Sequence, residues 1–272
     1  MGSLMELPAV AQATWFNGAG ATVAALLLIR LTGLMWIAPV FSGKAIPTAI
    51  RTAVTVVLVF LLWPAAAAHP TATAVEMTAG TVLVELCVGM TLGLGATIFV
   101  AAAESAGDML AVQMGLSGAN VVDPMSQTQL PVLGHLLGLF ATTLILATGG
   151  HLVILRALHG SLELSPLGHP VDIEAGAMAV VALGGRLLAL GLQFAAPVVA
   201  AMMMGNAALG ILARTVPQLN VLMVAFPVQI GVGLFVLAGT LPLIAGAFGA
   251  WPDTYGQMAG ELLRAFAVEG GR

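Results

Sequence analysis

We predict an all-α membrane protein of about six helical segments, several of them kinked or over-long and paired in hairpins. The 272-residue chain is 60% hydrophobic and only 7% charged, whereas a soluble domain carries about a quarter charged residues. Residues 124–155 and 215–252 hold no formal charge, and each run is longer than the roughly 20 residues of a spanning helix. The 33 glycines predict close contact between helices.

Six apolar segments define the predicted helices. They are Ala19–Phe41, Thr52–Ala68, Val75–Ala103, Pro131–Leu158, Ala175–Ala213 and Leu219–Trp251. A further stretch, Thr254–Val268, has apolar residues at helical spacing with charged residues around them. This pattern predicts an amphipathic helix at the surface.

Two segments are too long for a simple span. Ala175–Ala213 covers 39 residues, about 58 Å as a helix, whereas a bilayer core is about 30 Å thick. Pro197 near its middle predicts a kink, and Pro227 predicts another in the last segment. We predict that the two segments form a helical hairpin turning at Pro217 and Gln218.

Composition excludes several classes of protein. A net charge of -4 provides no basic face for nucleic acid. The lone cysteine, Cys87, is predicted to be a small core residue. The first ten residues lack Lys and Arg, so we expect no cleavable signal peptide.

By the positive-inside rule, Lys44 and Arg51 place their loop in the cytoplasm, although residues 104–129 on the same side carry only acids.

Two charges interrupt apolar segments. Arg30 lies within the first segment and Glu85 within the third. A charge at such a position costs about 2.5–3.5 kcal/mol on insertion scales, so Arg30 requires a partner or water. A structural ion pair or a pore contact is one interpretation, with Glu85 as the candidate partner. Snorkelling of Arg30 to the membrane surface is an equally weighted alternative.

The segment 111–133, which we name the polar island, separates two apolar runs. It is rich in glycine and amides and contains one acid and two prolines. Its backbone groups would lack hydrogen-bond partners in lipid, so the island must line a watery cavity or be buried in protein. Gly115 and Gly118 would give it conformational freedom. Asn120, Gln127 and Gln129 could hydrogen-bond in a wet lumen.

No motif indicates catalysis or metal binding. The five histidines show no HxxxH or HExxH spacing, and we expect no metal, cofactor or catalytic residue. Ser105 and Asp108 are interpreted as polar residues near a helix end. Methionines near the island and in the fifth segment are interpreted as packing residues by default, with a deformable seal around a pore as the sharper alternative.

Three blocks of sequence resemble the FliR/SctT-type family of type III secretion export-gate proteins. The first is AESAGDMLAVQMGLSGANVVDP at 103–124, followed by PVL and GGHL. The second is NAALGILARTVPQLNVLMVAFPVQIGVG from Asn206 to Gly233, and the third is Arg30 with the later APVFSGKAIP. The blocks cover essentially the whole chain in order, and the island favours the flagellar branch.

The resemblance implies a structural subunit of the flagellar type III export gate. Such a subunit is expected in the bacterial inner membrane, in the flagellar basal body, packed with FliP-like, FliQ-like, FlhB-like and FlhA-like proteins. It would pass unfolded flagellar proteins. The resemblance also implies a FliP-like half at 1–160 and a FliQ-like half at 161–272.

In the family that the chain resembles, the island forms a plug loop inside the channel, beside a ring of methionines. The corresponding residues here are Gln113, Met114, Gly115, Leu116, Ser117, Gly118, Ala119, Asn120, Asp123 and Pro124. Gly118 and Ala119 stand where bulkier residues are common in the family, so the plug is expected to pack differently.

Two other classes of function compete with this interpretation. A multi-pass small-solute or proton-coupled transporter would use Arg30, Glu85 and broken helices as a midplane site, but the chain shows no inverted repeat and few buried ionisable groups. An intramembrane hydrolase would need a nucleophile and a base on facing helices, and the sequence marks no such pair.

Overall fold

The computed structural model describes residues 18–43, 46–69, 76–116, 132–216, 218 and 221–266. These residues form helices joined by turns and short irregular segments, without an extended strand among them. The helices are α1 (Gly18–Ile37), α2 (Thr48–Ala67), α3 (Ala79–Gln113), α4 (Val132–Ala147), α5 (Gly150–Leu164), α6 (Ile173–Thr215), α7 (Val221–Gly249) and α8 (Trp251–Phe266). The predicted all-α class is confirmed.

Five of these helices are long and apolar enough to cross a membrane: α1, α2, α3, α6 and α7. If α4 and α5 together form one broken span, the described residues contain six spans. The predicted number of about six spans agrees with this count. α6 has 43 residues and α3 has 35, so both exceed the roughly 20 residues that a simple span requires.

The fourth predicted segment consists of two helices. α4 ends at Ala147 and α5 begins at Gly150, and Gly149 between them has a φ of 74°. Only glycine adopts such a backbone angle without strain, so the Gly149–Gly150 pair permits the break. α3 in turn runs ten residues beyond the predicted end at Ala103, because the alanine-rich sequence that follows favours helix.

The chain divides into two compact units. The first comprises 1–97, 149–183 and 252–272, and the second comprises 98–148 and 184–251. Each unit draws residues from both sides of position 160. The predicted halves 1–160 and 161–272 concern a relationship to other subunits, which packing within this chain does not test, so they stay a prediction.

In the first unit, α1 and α3 approach so closely that only glycine fits at their contact. A Cβ atom on Gly33 would lie 2.7 Å from the carbonyl oxygen of Leu86, and one on Gly93 would lie 3.1 Å from that of Leu34. A Cβ on Gly89 would overlap the carbonyl group of Arg30. The Gly89–Gly93 pair is therefore a close-packing surface of the kind that GxxxG motifs form.

α8 is amphipathic, as predicted, and its apolar face packs on α3. The buried residues on this face are Tyr255, Met258, Ala259, Leu262, Leu263 and Phe266. Tyr255 donates its hydroxyl hydrogen to the carbonyl oxygen of Leu92 at 3.1 Å. Gly95 makes room for the helix, since a Cβ there would lie 3.3 Å from Leu262.

Burial raises the pKa of the Tyr255 phenol well above its ordinary value. The chain has a single tyrosine, so ultraviolet absorbance reports this residue alone. As pH rises through about 10, we expect tyrosinate to form in the unfolded protein but not in the folded one. The neutral Tyr255 side chain therefore makes its full contribution to the free energy of unfolding below that pH. The contribution is lost as the pH rises from there toward the higher pKa of the folded state. Ionisation at the same pH in both states would contradict this expectation.

In the second unit, α6 and α7 form the predicted hairpin. Phe194 of α6 stacks on Phe248 of α7 with ring centroids 6.0 Å apart, and Phe99 of α3 meets Phe248 edge-on at 6.1 Å. The helices end at Thr215 and resume at Val221. Gln218 lies in a turn there, whereas Pro217 lies outside the described residues.

The prolines of the hairpin lie inside its helices. Pro197 is internal to α6, and Pro227 and Pro242 are internal to α7. Each removes one backbone donor from its helix, yet the helix continues on both sides. The predicted kinks at Pro197 and Pro227 stay a prediction.

Candidate functional site

A buried charge network joins four parts of the first unit. The Nε of Arg30 donates to Oε2 of Glu85 at 2.6 Å. Its Nη1 donates to the hydroxyl and carbonyl oxygens of Ser161 at 3.1 and 3.2 Å. Arg30 and Glu85 are both 0% exposed. Because the guanidinium is buried within the protein, the snorkelling interpretation of Arg30 is wrong.

The carboxylate of Glu85 has a second donor. The backbone N–H of Gly168 donates to its Oε1 at 2.8 Å, and Gly168 has a φ of 71° that favours glycine. The Ser161 hydroxyl donates onward to the carbonyl oxygen of Leu158 at 2.6 Å. The network thus connects α1, α3, α5 and the turn after α5. One nitrogen, Nη2 of Arg30, is buried without a hydrogen-bond partner among the described residues.

Sequence reasoning identified Arg30 and Glu85 but missed Ser161 and Gly168. Ser161 is 131 residues from Arg30, and a serine or glycine near a helix end carries no local signal of such a role. The geometry of the network suits a structural role, in which buried hydrogen bonds hold the helices together. A buried ion pair is tolerated in an apolar interior only when its members are paired and hydrogen-bonded.

The polar island begins where α3 ends, in the second unit. The N–H of Met114 still donates to the carbonyl oxygen of Leu110 at 2.9 Å, and that of Gly115 donates to Val112 at 3.0 Å. Gly115 then adopts a φ of 73°, the left-handed conformation in which many helices end. We name residues 113–116 the island root.

The island root docks on α7. Met114 is fully buried and lies against Gly233, where an added Cβ would be 2.6 Å from the methionine side chain. Phe226 packs on Gly115, where an added Cβ would be 3.0 Å from the phenylalanine ring. The root is therefore seated on α7 by one buried side chain and one aromatic ring.

An amide pair lies across the hairpin. The Nε2 of Gln229 donates to Oδ1 of Asn206 at 2.7 Å, and Asn206 is exposed. A Cβ on Gly115 would lie 3.5 Å from the Gln229 side chain, so the amides adjoin the island root. Sequence reasoning missed Asn206, Phe226, Gln229 and Gly233 as site residues. They all fall in the second resemblance block, which was the available signal.

The far end of the island is also anchored in the second unit. α4 begins at Val132 and packs directly on α3, since a Cβ on Gly107 would lie 2.6 Å from the Cα of Gly134. The side chains of Asp108 and Glu104 cover Gly134 and Gly138, which have GxxxG spacing. The island thus starts and finishes on helices that contact each other.

Most of the predicted plug lies outside the described residues. Gln113, Met114, Gly115 and Leu116 are placed by the structure, whereas six predicted plug residues fall in 117–131, outside the described residues. These six are Ser117, Gly118, Ala119, Asn120, Asp123 and Pro124. Among the described side chains, no group of three or more His, Cys, Asp or Glu could hold a metal ion.

The prediction that Cys87 is a core residue is wrong. Cys87 is exposed, and so are Leu83 and Met90. These positions lie four and three residues away along α3, so they share one face of the helix. An apolar segment in a membrane protein can present an outer face to lipid or to partner chains, which hydropathy alone does not distinguish from a core.

The fold and the buried polar groups define an all-α membrane protein without a recognisable catalytic centre in its described part. The family described as "Bacterial export proteins, family 1" matches residues 21–253. The flagellar biosynthetic protein FliR of Escherichia coli K12 is 30% identical over 219 residues, covering 80% of this chain and 84% of the relative. That of Bacillus subtilis 168 is 29% identical over 222 residues, covering 80% and 86%.

A relative outside the flagellar set is also similar. The "Yop proteins translocation protein T" of Yersinia pestis is 28% identical over 219 residues, covering 78% of this chain and 83% of the relative. The chain belongs to family 1 of the bacterial export proteins, the FliR/SctT family. It is a membrane-embedded component of a flagellar type III protein export apparatus, and its family is structural and not a known enzyme family.

Proposed function

We propose that this protein is a channel-forming subunit of the flagellar export gate in the bacterial inner membrane. The polar island closes the channel at rest and moves aside for unfolded flagellar proteins. The observation that carries this proposal is the island root, where Met114 and Gly115 leave α3 and dock on α7. In sequence the island lies between apolar membrane helices, and a polar segment in such a position is suited to a water-filled passage.

The root has the features of a hinge. Gly115 already occupies a backbone region open to glycine, so rotation there costs little. The seat of Met114 on Gly233 is a contact between apolar groups, which individually are weak and reversible. The adjacent Gln229–Asn206 pair supplies uncharged hydrogen-bonding groups. Such a joint can hold a loop at rest and release it without breaking an ion pair.

The outer faces of the hairpin support a multi-subunit gate. Only 28% of the spanning window in α6 and 22% of that in α7 is buried within this chain. Phe235 on α7 is 81% exposed. Exposed apolar faces of this extent require lipid or protein neighbours. We propose FliP-like and FliQ-like subunits as the neighbours, with FlhB-like and FlhA-like components of the same apparatus.

The rival transporter function receives no support from the charge network. Arg30 and Glu85 are fully buried and directed at each other, at Ser161 and at Gly168. A solute site requires polar groups that open to a cavity and change partners during transport. We therefore assign the network to the stability of the first unit, and the energy for export to other components.

Deletion of residues 115–120 tests the plug. We expect the variant to assemble with its partners, to raise ion leakage across the inner membrane and to continue exporting flagellar proteins. Leakage is measured with a membrane-potential dye, and export by flagellar protein in the medium. Normal leakage in an assembled complex would refute the plug, and lost assembly would make the island a packing element.

Two matched point variants distinguish an effect on the plug from the general effect of backbone strain. Gly115→Ala and Gly149→Ala each place a side chain at a φ near 74°, at a cost of about 1–2 kcal/mol. Only the first also crowds Phe226, because no atom lies within 4 Å of a Cβ at Gly149. We expect increased leakage from Gly115→Ala alone. Equal leakage from both variants would point to general destabilisation.

A further inference from the structure

A groove of about 300 Å³ lies between α1 and α2 in the first unit. Its walls are mainly apolar, with Leu28, Met35, Trp36 and Val56 among the lining residues. Arg51, in the first turns of α2, provides its charge. The lining includes no carboxylate among the described residues. The groove therefore combines one cationic side chain with apolar walls, and the two helices that form it are able to span a membrane.

The guanidinium of Arg51 lacks an anionic partner in this groove. Its Nη2 donates to the carbonyl oxygen of Gly43 at the long distance of 3.4 Å, and its Nε is buried without a partner. The nearby hydroxyls are engaged elsewhere, because Thr52 and Thr55 donate to carbonyl oxygens of their own helix at 2.9 and 2.8 Å. The guanidinium therefore has donor capacity that is not filled, and Arg51 lines a groove with space for an acceptor.

The helix end next to Arg51 reinforces the preference for an anion. α2 begins after Pro47, which makes no side-chain capping hydrogen bond. The amino end of a helix carries partial positive charge. Together with Arg51 this makes one end of the groove electropositive, which is the complement of a phosphate group.

The rest of the groove fits a hydrocarbon chain. Trp36 is 70% exposed at its edge, and Leu28 is also exposed. Exposed tryptophan is enriched where a membrane protein meets the headgroup level of the bilayer. An occupant must therefore be amphiphilic, with an anionic head at Arg51 and an apolar tail toward Leu28 and Val56.

We propose that the groove between α1 and α2 binds an anionic phospholipid, with its phosphate on Arg51 and one acyl chain along the apolar wall. Charge complementarity selects this occupant over a zwitterionic lipid. A single arginine near the membrane surface is expected to confer about a five-fold preference for anionic lipid. This site is independent of the proposed gate, so either can fail without the other.

Fluorescence of Trp36 tests the proposal in the protein purified with its export-apparatus partners. Trp63 and Trp251 are fully buried, and the quenching that is lost on Trp36→Phe in the same complex is the signal of Trp36. Brominated phosphatidylglycerol is expected to quench Trp36 at about one-fifth of the concentration of brominated phosphatidylcholine. Arg51→Gln is expected to abolish the preference and Arg51→Lys to keep it. Arg156→Gln, on the exposed face of α5, is the matched control.

Three outcomes would overturn the site. Equal quenching by both lipids would show no selection of charge, and no quenching would show that lipid does not reach the groove in the complex. Displacement of the brominated lipid by inorganic phosphate alone would show a phosphate site without a role for the acyl chain. Both Arg51→Lys and Arg51→Gln must elute as the assembled complex. This requirement excludes misfolding as the cause of a lost lipid preference.

Discussion

Replacing Glu85 with alanine is expected to destabilise the protein by about 3–5 kcal/mol. The change leaves the buried guanidinium of Arg30 with only the oxygens of Ser161 as partners, and leaves the N–H of Gly168 without an acceptor. A typical domain is stable by only about 5–15 kcal/mol, so a large share of the stability is lost. We expect the variant to be degraded in cells and to support neither export nor motility, as measured by immunoblotting and swimming assays.

The double variant Arg30→Met/Glu85→Met provides the decisive comparison. Removing both charges leaves no unpaired ion, and apolar replacement of a buried pair is often neutral. We expect the double variant to accumulate to a higher level than either single methionine variant. A double variant that loses as much as the two single losses added together would show that the side chains do not interact. Arg156→Met, on the exposed face of α5, controls for the loss of an arginine alone.

Gly89→Ala is expected to produce the second large effect. The added methyl group would overlap the backbone carbonyl of Arg30, and a backbone atom in a packed helix cannot move aside as a flexible side chain can. Overpacking of this kind costs about 1–3 kcal/mol, and α1 must move away from α3 to relieve it. That movement would also lengthen the 2.6 Å contact between Arg30 and Glu85. Thermal unfolding in detergent measures the loss.

Gly160→Ala is the matched control for this prediction. Gly160 also lies in a helix, but no atom lies within 4 Å of a Cβ placed there. Alanine favours helix over glycine by up to about 1 kcal/mol, so this variant is expected to be as stable as the parent or more stable. If the two variants unfolded at the same temperature, close packing at Gly89 would not limit the stability of the first unit.

Much of the helical architecture was predictable because hydropathy and helix propensity act locally. The apolar runs located α1, α2, α6 and α7 within a few residues of their observed ends. The break at Gly149 was missed because a glycine pair within an apolar run is compatible with a continuous helix. Its left-handed backbone depends on how the flanking helices pack. The exposed position of Cys87 was missed for a related reason, since an apolar residue suits both a core and an outer face.

The residues of the candidate site also fall into a group that was predictable from the sequence and a group that was not. The island was recognisable because a run of amides, glycine and proline contrasts with its apolar flanks, and Arg30 and Glu85 because charges are rare in such segments. The seat of the island root on Phe226 and Gly233 was not recognisable, because the contacting residues lie more than 100 positions apart in the sequence. Aromatic residues and glycines are common throughout the chain and carry no individual signal.

The sequence alone determined that this protein is helical, lies in a membrane, belongs to an export family and carries a polar interruption. These properties follow from composition, hydropathy and ordered motifs, which are local or are shared along the whole chain. Only the tertiary structure decided that Arg30 is paired with Glu85 and Ser161, and that Gly89 lies on a backbone carbonyl. Those relations arise from the approach of distant segments, and the energy of each depends on distances that no local pattern encodes.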